Sequence, residues 1–193
     1  VSRETRACHR EIRLGDGRMR LVVGIGNPGR EYENTRHNVG FEVLRLVADR
    51  TGATLDTQRV PGLGRSFGRL GRVRDDRGDV LALLLEPWTY VNESGRAVRA
   101  AATQAGIAPR DILVVVDDFN LDIGTLRIRE RGSSGGHIGL KSIEAHLGSQ
   151  EYPRLRVGIG SPGRDSVDHV LSRFNRRDLE VIEIVAVNAA DAA

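Results

Sequence analysis

The chain has 193 residues, of which 39% are hydrophobic and 28% charged, as expected for a globular domain with one substantial core. Its single cysteine, Cys8, excludes an intramolecular disulfide and a cysteine-rich metal site, and its apolar runs are too short to span a membrane. The net charge of +3 is compatible with a nucleic-acid partner, although a small excess of surface arginine is the commoner cause.

The first 18 residues are mostly polar and show no periodicity. The sequence therefore predicts a flexible N-terminal leader over 1–18 and a compact domain over 19–193. The leader has no apolar segment typical of a secretory signal, and Glu4, Glu11 and Asp16 are untypical of a mitochondrial transit peptide. Together with the lone cysteine, this favours a cytoplasmic location.

From Met19 onward, short apolar runs alternate with stretches of helical spacing. The predicted strands are 20–26, 64–74, 79–86, 112–116, 124–130 and 155–160. The predicted helices are 36–50, 92–105, 139–147, 165–171 and 176–190. This alternation predicts an α/β fold, a single-domain three-layer sandwich with a twisted mixed β-sheet flanked by helices.

Three glycine-rich motifs have familiar interpretations that their surroundings weaken. Residues 24–29 match a dinucleotide fingerprint, and so do residues 158–163, but after the first of them Pro28 delays the helix that would meet the pyrophosphate. Residues 64–68 match a nucleophile elbow but lack the buried strand and the helix that should flank it. Residues 131–136 lack the ending of a Walker loop, and they are either a surface loop or a backbone that a phosphate or ribose can approach.

Ester hydrolysis by water needs a base, a carboxylate that orients the base, and amide donors for the oxyanion. His37 is the candidate base because an imidazole titrates near neutrality, although an exposed histidine at a helix start is the commoner interpretation. Asp117 ends the most apolar strand, where a carboxylate needs a partner. Asn27, Asn92 and His137 stand at loop or helix starts, where capping is the commonest use of asparagine.

Six segments, met in order along the chain, resemble the signature of bacterial peptidyl-tRNA hydrolases. They are residues 23–32 (VGIGNPGREY), 35–40 (TRHNVG), 87–95 (PWTYVNESG), 117–118 (DD), 135–137 (GGH) and 154–160 (RLRVGIG). The resemblance covers nearly everything from Met19 to about Glu183. It implies a single α/β domain that hydrolyses the ester bond between peptide and tRNA, frees the tRNA for reuse in translation, and needs no metal or cofactor.

The resemblance also implies roles for individual residues. His37 would activate water with Asp117 as its partner, and Arg129 and Arg156 would bind the tRNA phosphate, as forked guanidinium groups do well. The residues implied to bind the substrate are Asn27, Tyr32, Tyr90, Asn92, His137 and Ile138. The expected partner is peptidyl-tRNA, with no membrane or DNA partner, and the expected state is a monomer.

Three positions depart from the family's pattern. Ile138 replaces the asparagine of the family's Gly-Gly-His-Asn-Gly-Leu loop, Val91 stands where methionine is usual, and Asn120 stands where aspartate is usual. Loss of one preorganised amide donor costs on the order of 10²–10³ in rate, by analogy with oxyanion donors. The alternative hypothesis is therefore a catalytically weakened relative that acts as an RNA-binding protein.

Overall fold

The computed structural model describes residues 18–59, 67–162 and 165–192. The strands are β1 (Arg20–Gly24), β2 (Asp56–Arg59), β3 (Phe67–Arg74), β4 (Val80–Pro87), β5 (Ile112–Asp118), β6 (Leu126–Arg129) and β7 (Arg154–Gly158). The α-helices are α1 (Val39–Thr51), α2 (Ser94–Ala105), α3 (Ile138–Leu147), α4 (Ser166–Leu171) and α5 (Arg176–Ala192). Nearly all of the predicted leader, and the serine of the elbow-like motif, lie outside these ranges. Among the described helices, none has the length and apolar character needed to cross a membrane.

The seven strands form one mixed sheet in the order β2-β3-β4-β1-β5-β7-β6. The four central strands β4, β1, β5 and β7 are parallel to one another. The outer strands β2, β3 and β6 each pair antiparallel with their neighbours. The carboxyl ends of the parallel strands therefore meet at one edge of the sheet, which is where open α/β sheets place their sites.

Helices cover both faces of the sheet, because the central parallel strands are apolar on both sides. Leu21 and Val23 of β1 join one buried cluster with α2 and α3. Val22, which points the other way, joins a second cluster with α1 and α5. The predicted three-layer sandwich with a mixed sheet is confirmed.

The structure differs from the predicted elements at several boundaries. Strand β2 was not predicted, because its exposed Asp56 and Thr57 lack an alternating apolar pattern at this sheet edge. The first helix begins at Val39, later than predicted, since Arg36–Asn38 form a separate 3-10 turn. Helix α5 continues to Ala192, slightly beyond its predicted end.

Two glycines bring α1 directly onto the sheet. A Cβ added to Gly24 would lie 2.2 Å from the Gly40 carbonyl oxygen, and one added to Gly40 would lie 2.6 Å from the carbonyl oxygens of Ile25 and Val115. Such distances are far below van der Waals contact, so only glycine fits at either position. The first glycine of the fingerprint-like run thus serves helix–sheet packing, and this packing sets the 3-10 turn before α1 against the end of β5.

Candidate active site

Asp117, at the end of β5, is the centre of a buried cluster with two histidines. Its Oδ1 lies 2.8 Å from His37 Nδ1 and 2.9 Å from His137 Nε2. The two imidazole rings lie 5.5 Å apart, centroid to centroid, and are tilted by 45°. The Asp117 side chain is only 2% exposed, so the histidines take the place of water as its hydrogen-bond donors. His37 and Asp117 are 80 positions apart in the chain, and the fold brings them within hydrogen-bond distance.

The hydrogen bonds around the cluster fix the tautomer of each histidine. His137 Nδ1 accepts from the backbone N–H groups of Gly139 (3.1 Å) and Leu140 (3.3 Å), and so caps the start of α3. The proton of the neutral His137 ring therefore lies on Nε2 and is donated to Asp117. His37 donates from Nδ1 to the same carboxylate, which leaves its Nε2 as a proton acceptor.

Burial and charge act in opposite directions on this pair. Burial alone would raise the pKa of Asp117, but His137 and His37 outweigh it and hold that pKa well below its usual range. Burial alone would lower the pKa of His37, but the charge and the hydrogen bond of Asp117 outweigh it and raise that pKa above its ordinary value. Asp117 is thus ionised near neutral pH and stabilises the protonated form of His37.

The same three side chains are the one group of histidines and acidic residues, within the described ranges, whose ligand atoms lie close enough to hold a metal ion. Their hydrogen bonds favour a different use. Both nitrogens of His137 are engaged, one by two backbone amides and one by Asp117. A metal ion between the three would have to displace the protons that both histidines donate to Asp117. The donor set suits an oriented base better than a metal centre.

Asn27, in the loop after β1, is fixed by hydrogen bonds to both its backbone and its side chain. Asn38 clamps its backbone, accepting from Asn27 N–H at 2.9 Å and donating to the Asn27 carbonyl oxygen at 3.0 Å. The side-chain Oδ1 of Asn27 accepts from the backbone N–H of Val91 at 3.0 Å. The Asn27 Nδ2 group is consequently oriented as a donor by a rigid frame. The sequence argument assigned no role to Asn38, although it lies within the TRHNVG segment.

The 3-10 turn that carries His37 is also anchored by its neighbour Arg36 to distant parts of the chain. Arg36 is buried and donates to the Ile159 carbonyl oxygen at 2.8 Å and to Asp178 Oδ2 at 2.9 Å. Its guanidinium lies 4.6 Å from the centre of the Phe174 ring. No sequence signal pointed to this anchor, because Asp178 is 142 positions away.

Three predicted substrate-binding residues lie on two adjoining segments at the surface. Tyr90 is 58% exposed and Ile138 is 55% exposed, and Asn92 is also exposed. A Cβ added to Gly139 would lie 2.7 Å from Val91 Cγ1, so the turn after Tyr90 and the start of α3 pack closely together. These side chains thus border the region where Asn27 reaches Val91.

Tyr32 ends the short 3-10 turn Arg30–Tyr32 in the loop after β1. It is half-buried, and its carbonyl oxygen accepts from the Thr35 hydroxyl at 2.8 Å, which shapes the turn before His37. Within the described residues, no hydrogen bond joins its side chain to His37 or Asp117. Its predicted role in substrate binding stays a prediction.

The two predicted phosphate ligands have different surroundings. Arg129 is exposed on the edge strand β6, and its side chain has no hydrogen bond or ion pair with any described residue. Arg156 on β7 is mostly buried and donates to Asp118 Oδ2 at 3.0 Å. Strand register puts Arg127 opposite Arg156, so Arg127, Arg129 and Arg156 share one face of the sheet. Of the predicted pair, Arg129 is the more exposed, and the role of both in phosphate binding stays a prediction.

An imidazole that is hydrogen-bonded to a buried carboxylate at the carboxyl end of a parallel sheet is typical of α/β enzymes that activate water for hydrolysis. Three comparisons with known proteins then specify which one. A family model described as "Peptidyl-tRNA hydrolase" matches residues 21–193. The chain belongs to the peptidyl-tRNA hydrolase family, and the resemblance seen in the sequence is confirmed.

Individual relatives agree with that assignment. The peptidyl-tRNA hydrolase of Moorella thermoacetica is 49% identical over 175 residues, which cover 90% of this chain and 88% of that protein. The one from Clostridium novyi is 42% identical over 176 residues, covering 91% of this chain and 89% of that protein. The crystal structure of peptidyl-tRNA hydrolase from Acinetobacter baumannii superposes with a TM-score of 0.74 at 35% identity, covering 86% of this chain and 81% of that chain.

Proposed function

We propose that this chain hydrolyses the ester bond between the peptide and the tRNA of peptidyl-tRNA, with His37 as the base and Asp117 as its orienting partner. The observation that carries the proposal is the 2.8 Å hydrogen bond from His37 Nδ1 to the buried Asp117 carboxylate. It leaves His37 Nε2 as the proton acceptor, and Asp117 stabilises the imidazolium that forms when a proton arrives.

The reaction uses water as its only co-reactant. His37 Nε2 takes a proton while the water oxygen bonds to the ester carbonyl carbon, and the carbonyl oxygen becomes an oxyanion. The intermediate collapses, the bond between carbon and the ribose oxygen breaks, and His37 returns its proton to that oxygen. The products are a peptide with a free carboxyl group and a tRNA with a free ribose hydroxyl, ready for reuse.

Amide donors bind the acyl part of the substrate in this proposal. Asn27 Nδ2 is the donor for the carbonyl or oxyanion, and it is supported by the use of Asn27 Oδ1 in the bond to Val91. Asn92 is exposed on the same side and donates to the peptide backbone. Tyr32, Tyr90 and Ile138 border the peptide, and His137 acts through Asp117.

Electrostatic attraction holds the tRNA. Arg129 binds a backbone phosphate, since it is exposed and without a partner among the described residues. The proposal includes a cytoplasmic monomer that acts on peptidyl-tRNA, with neither a membrane nor DNA as a partner.

Release of a labelled peptide from peptidyl-tRNA at neutral pH tests the function. We expect the wild-type chain to release the label and His37→Ala to lose nearly all release. His146→Gln is a matched control, because His146 is a half-buried histidine that bonds to the Ser142 carbonyl oxygen on α3, outside the cluster. Fluorescence of Trp88, the only tryptophan, reports whether each variant is folded.

Two results would contradict the proposal. Unchanged release by His37→Ala would show that the base is another residue. Absence of release by the wild-type chain, with tRNA still bound, would favour the weakened RNA-binding relative.

A further inference from the structure

Trp88 follows directly after β4, and two neighbouring side chains fix its indole ring. Its Nε1 donates to Glu86 Oε1 at 3.2 Å, and the guanidinium of Arg69 lies 5.5 Å from the centre of the Trp88 ring. Glu86 is itself buried and accepts from Arg45 at 3.0 Å. Trp88 remains partly exposed. An aromatic ring of fixed orientation is therefore present at the surface of the protein.

Strand register places Trp88 at the level of the Asp117 cluster. Val23 of β1 pairs with Leu85 of β4 on one side and with Val114 of β5 on the other. Trp88 and Asp117 each stand three positions beyond those partners, so the two residues lie at the same height along the strands. Two strand spacings separate them, which amount to about 10 Å. Trp88 thus borders the same edge of the sheet as the proposed base and its partner.

The predicted phosphate ligands lie on the opposite side of the cluster. In the strand order β4-β1-β5-β7-β6, Arg156 stands on β7 and Arg129 on β6, whereas Trp88 follows β4. A substrate with its tRNA phosphate at these arginines and its ester at His37 extends its peptide toward β4. Because an extended chain spans about 3.3–3.6 Å per residue, a distance of about 10 Å corresponds to roughly the third residue from the ester.

The loop that contains Tyr32 belongs to the same part of the surface. The Glu33 carboxylate is close enough to Arg45 to interact with its charge. Arg45 in turn binds Glu86, the residue to which Trp88 donates. One charged cluster thus connects Trp88 with the Tyr32 loop, which the family resemblance assigns to substrate binding.

We propose that Trp88, held by Glu86 and Arg69, contacts the side chain of roughly the third peptide residue from the ester and favours an aromatic residue there. The indole offers a planar apolar surface on which a second aromatic ring stacks. Arg69 already faces the Glu86 carboxylate at 3.7 Å, so it attracts an acidic side chain less than a free arginine does. The inference rests on the proposed hydrolysis of peptidyl-tRNA and on the proposed phosphate contacts.

Kinetics with a set of substrates test the inference. The substrates are N-acetylated pentaalanyl-tRNAs in which one phenylalanine is moved from the first to the fifth residue from the ester. We expect phenylalanine at the third or fourth residue to lower KM roughly 3- to 10-fold relative to alanine, the range that an aromatic pair contributes, with kcat unchanged. Trp88→Ala should abolish this preference, and Trp88→Phe should keep part of it. Equal KM for all positions, or the same preference in Trp88→Ala, overturns the inference.

Arg69→Gln tests the support of the indole ring, and Arg72→Gln is the charge-matched control. Arg72 is exposed on the same strand but three positions further on, so it lies on the other face of the sheet. We expect Arg69→Gln to reduce the preference for phenylalanine about 2- to 3-fold and Arg72→Gln to retain it. An equal reduction in both variants would show that the charge of β3, and not the support of Trp88, decides the preference, and would contradict the inference.

Trp88 is the only tryptophan, so its fluorescence reports binding directly, even if Trp88→Ala does not fold. In His37→Ala, the peptidyl-tRNA with phenylalanine at the third residue should change the emission of Trp88, and deacylated tRNA should not. The same change with deacylated tRNA would place a nucleobase at Trp88 and overturn the inference, as would bound peptidyl-tRNA without any change. The titration needs no turnover. A wild-type chain that changes its emission but releases no peptide would therefore refute the hydrolysis and support the peptide contact.

Discussion

Glu86 on β4 and Asp117 on β5 are both almost completely buried near the carboxyl ends of their strands, but they have different hydrogen-bond partners. Glu86 on β4 is 1% exposed and accepts from Arg45 through both oxygens, at 3.0 and 3.1 Å. Asp117 on β5 is 2% exposed and accepts only from histidines among the described residues. Arginine stays protonated at any working pH, whereas histidine titrates near neutrality.

The partner therefore decides what each buried charge can do. At Glu86 the positive charge is permanent, and Trp88 Nε1 at 3.2 Å and Arg69 at 3.7 Å complete a structural cluster. At Asp117 the positive charge appears only when His37 takes a proton. The proposed catalysis at Asp117 thus depends on a partner that can change its protonation state during the reaction.

The largest effect is expected from Asp117→Asn. Asparagine keeps the shape but removes the charge that orients and stabilises protonated His37, so kcat should fall by roughly 10³–10⁴, by analogy with other histidine–aspartate pairs. Single-turnover release of labelled peptide measures it. The control is Asp111→Asn, just before the opposite end of the same strand. A loss below tenfold would mean that Asp117 is no more catalytic than Glu86.

A smaller effect is expected at Ile138, beside His137 at the start of α3. Ile138→Asn adds an amide donor at the border of the site, and we expect kcat to rise by roughly 10-fold, less than a fully preorganised donor contributes. Ile184→Asn, at an exposed isoleucine on α5, is the matched control. An unchanged or lower kcat would show that the isoleucine does not limit the reaction.

Glu86→Gln should have the smallest effect on rate and act on stability instead. Removing the charge weakens the contacts to Arg45, which is partly exposed and can turn toward water, so we expect a loss of about 1–3 kcal/mol in the free energy of unfolding. Denaturant titration measures it, and kcat of the folded variant should change less than about threefold. Glu93→Gln, in an exposed pair with Arg96, should change stability by less than about 1 kcal/mol. A large loss of kcat at Glu86 would remove the contrast with Asp117.

The sequence alone predicted those features that depend on a local pattern of apolar and polar residues. The apolar runs around Val23 and Val115 predicted the central strands, and the position of Asp117 after such a run marked it as a carboxylate in need of a partner. Edge strand β2 has no apolar pattern and was missed. The pairing of His37 with Asp117 came from chemical reasoning and family resemblance together.

The parts of the site that the sequence did not predict depend on contacts between residues that are far apart in the chain. Arg36 reaches Asp178, and Arg156 reaches Asp118 and Ser134, over separations of 142, 38 and 22 positions. No periodicity encodes such pairs. The fold also determines how exposed each arginine is, and it leaves Arg129 exposed while Arg156 is mostly buried.

The most direct test of the central claim is the pH dependence of kcat/KM for peptidyl-tRNA hydrolysis, measured for the wild-type chain and for Asp117→Asn. The base must be neutral to accept a proton, and the pKa of His37 is raised, so the wild-type rate should fall with decreasing pH below a midpoint above about 6.5. Without the Asp117 charge only burial remains, so the midpoint should move to lower pH in the variant. A midpoint that stays where it is in Asp117→Asn would contradict the account, because the titrating base would then be a group that Asp117 does not hold.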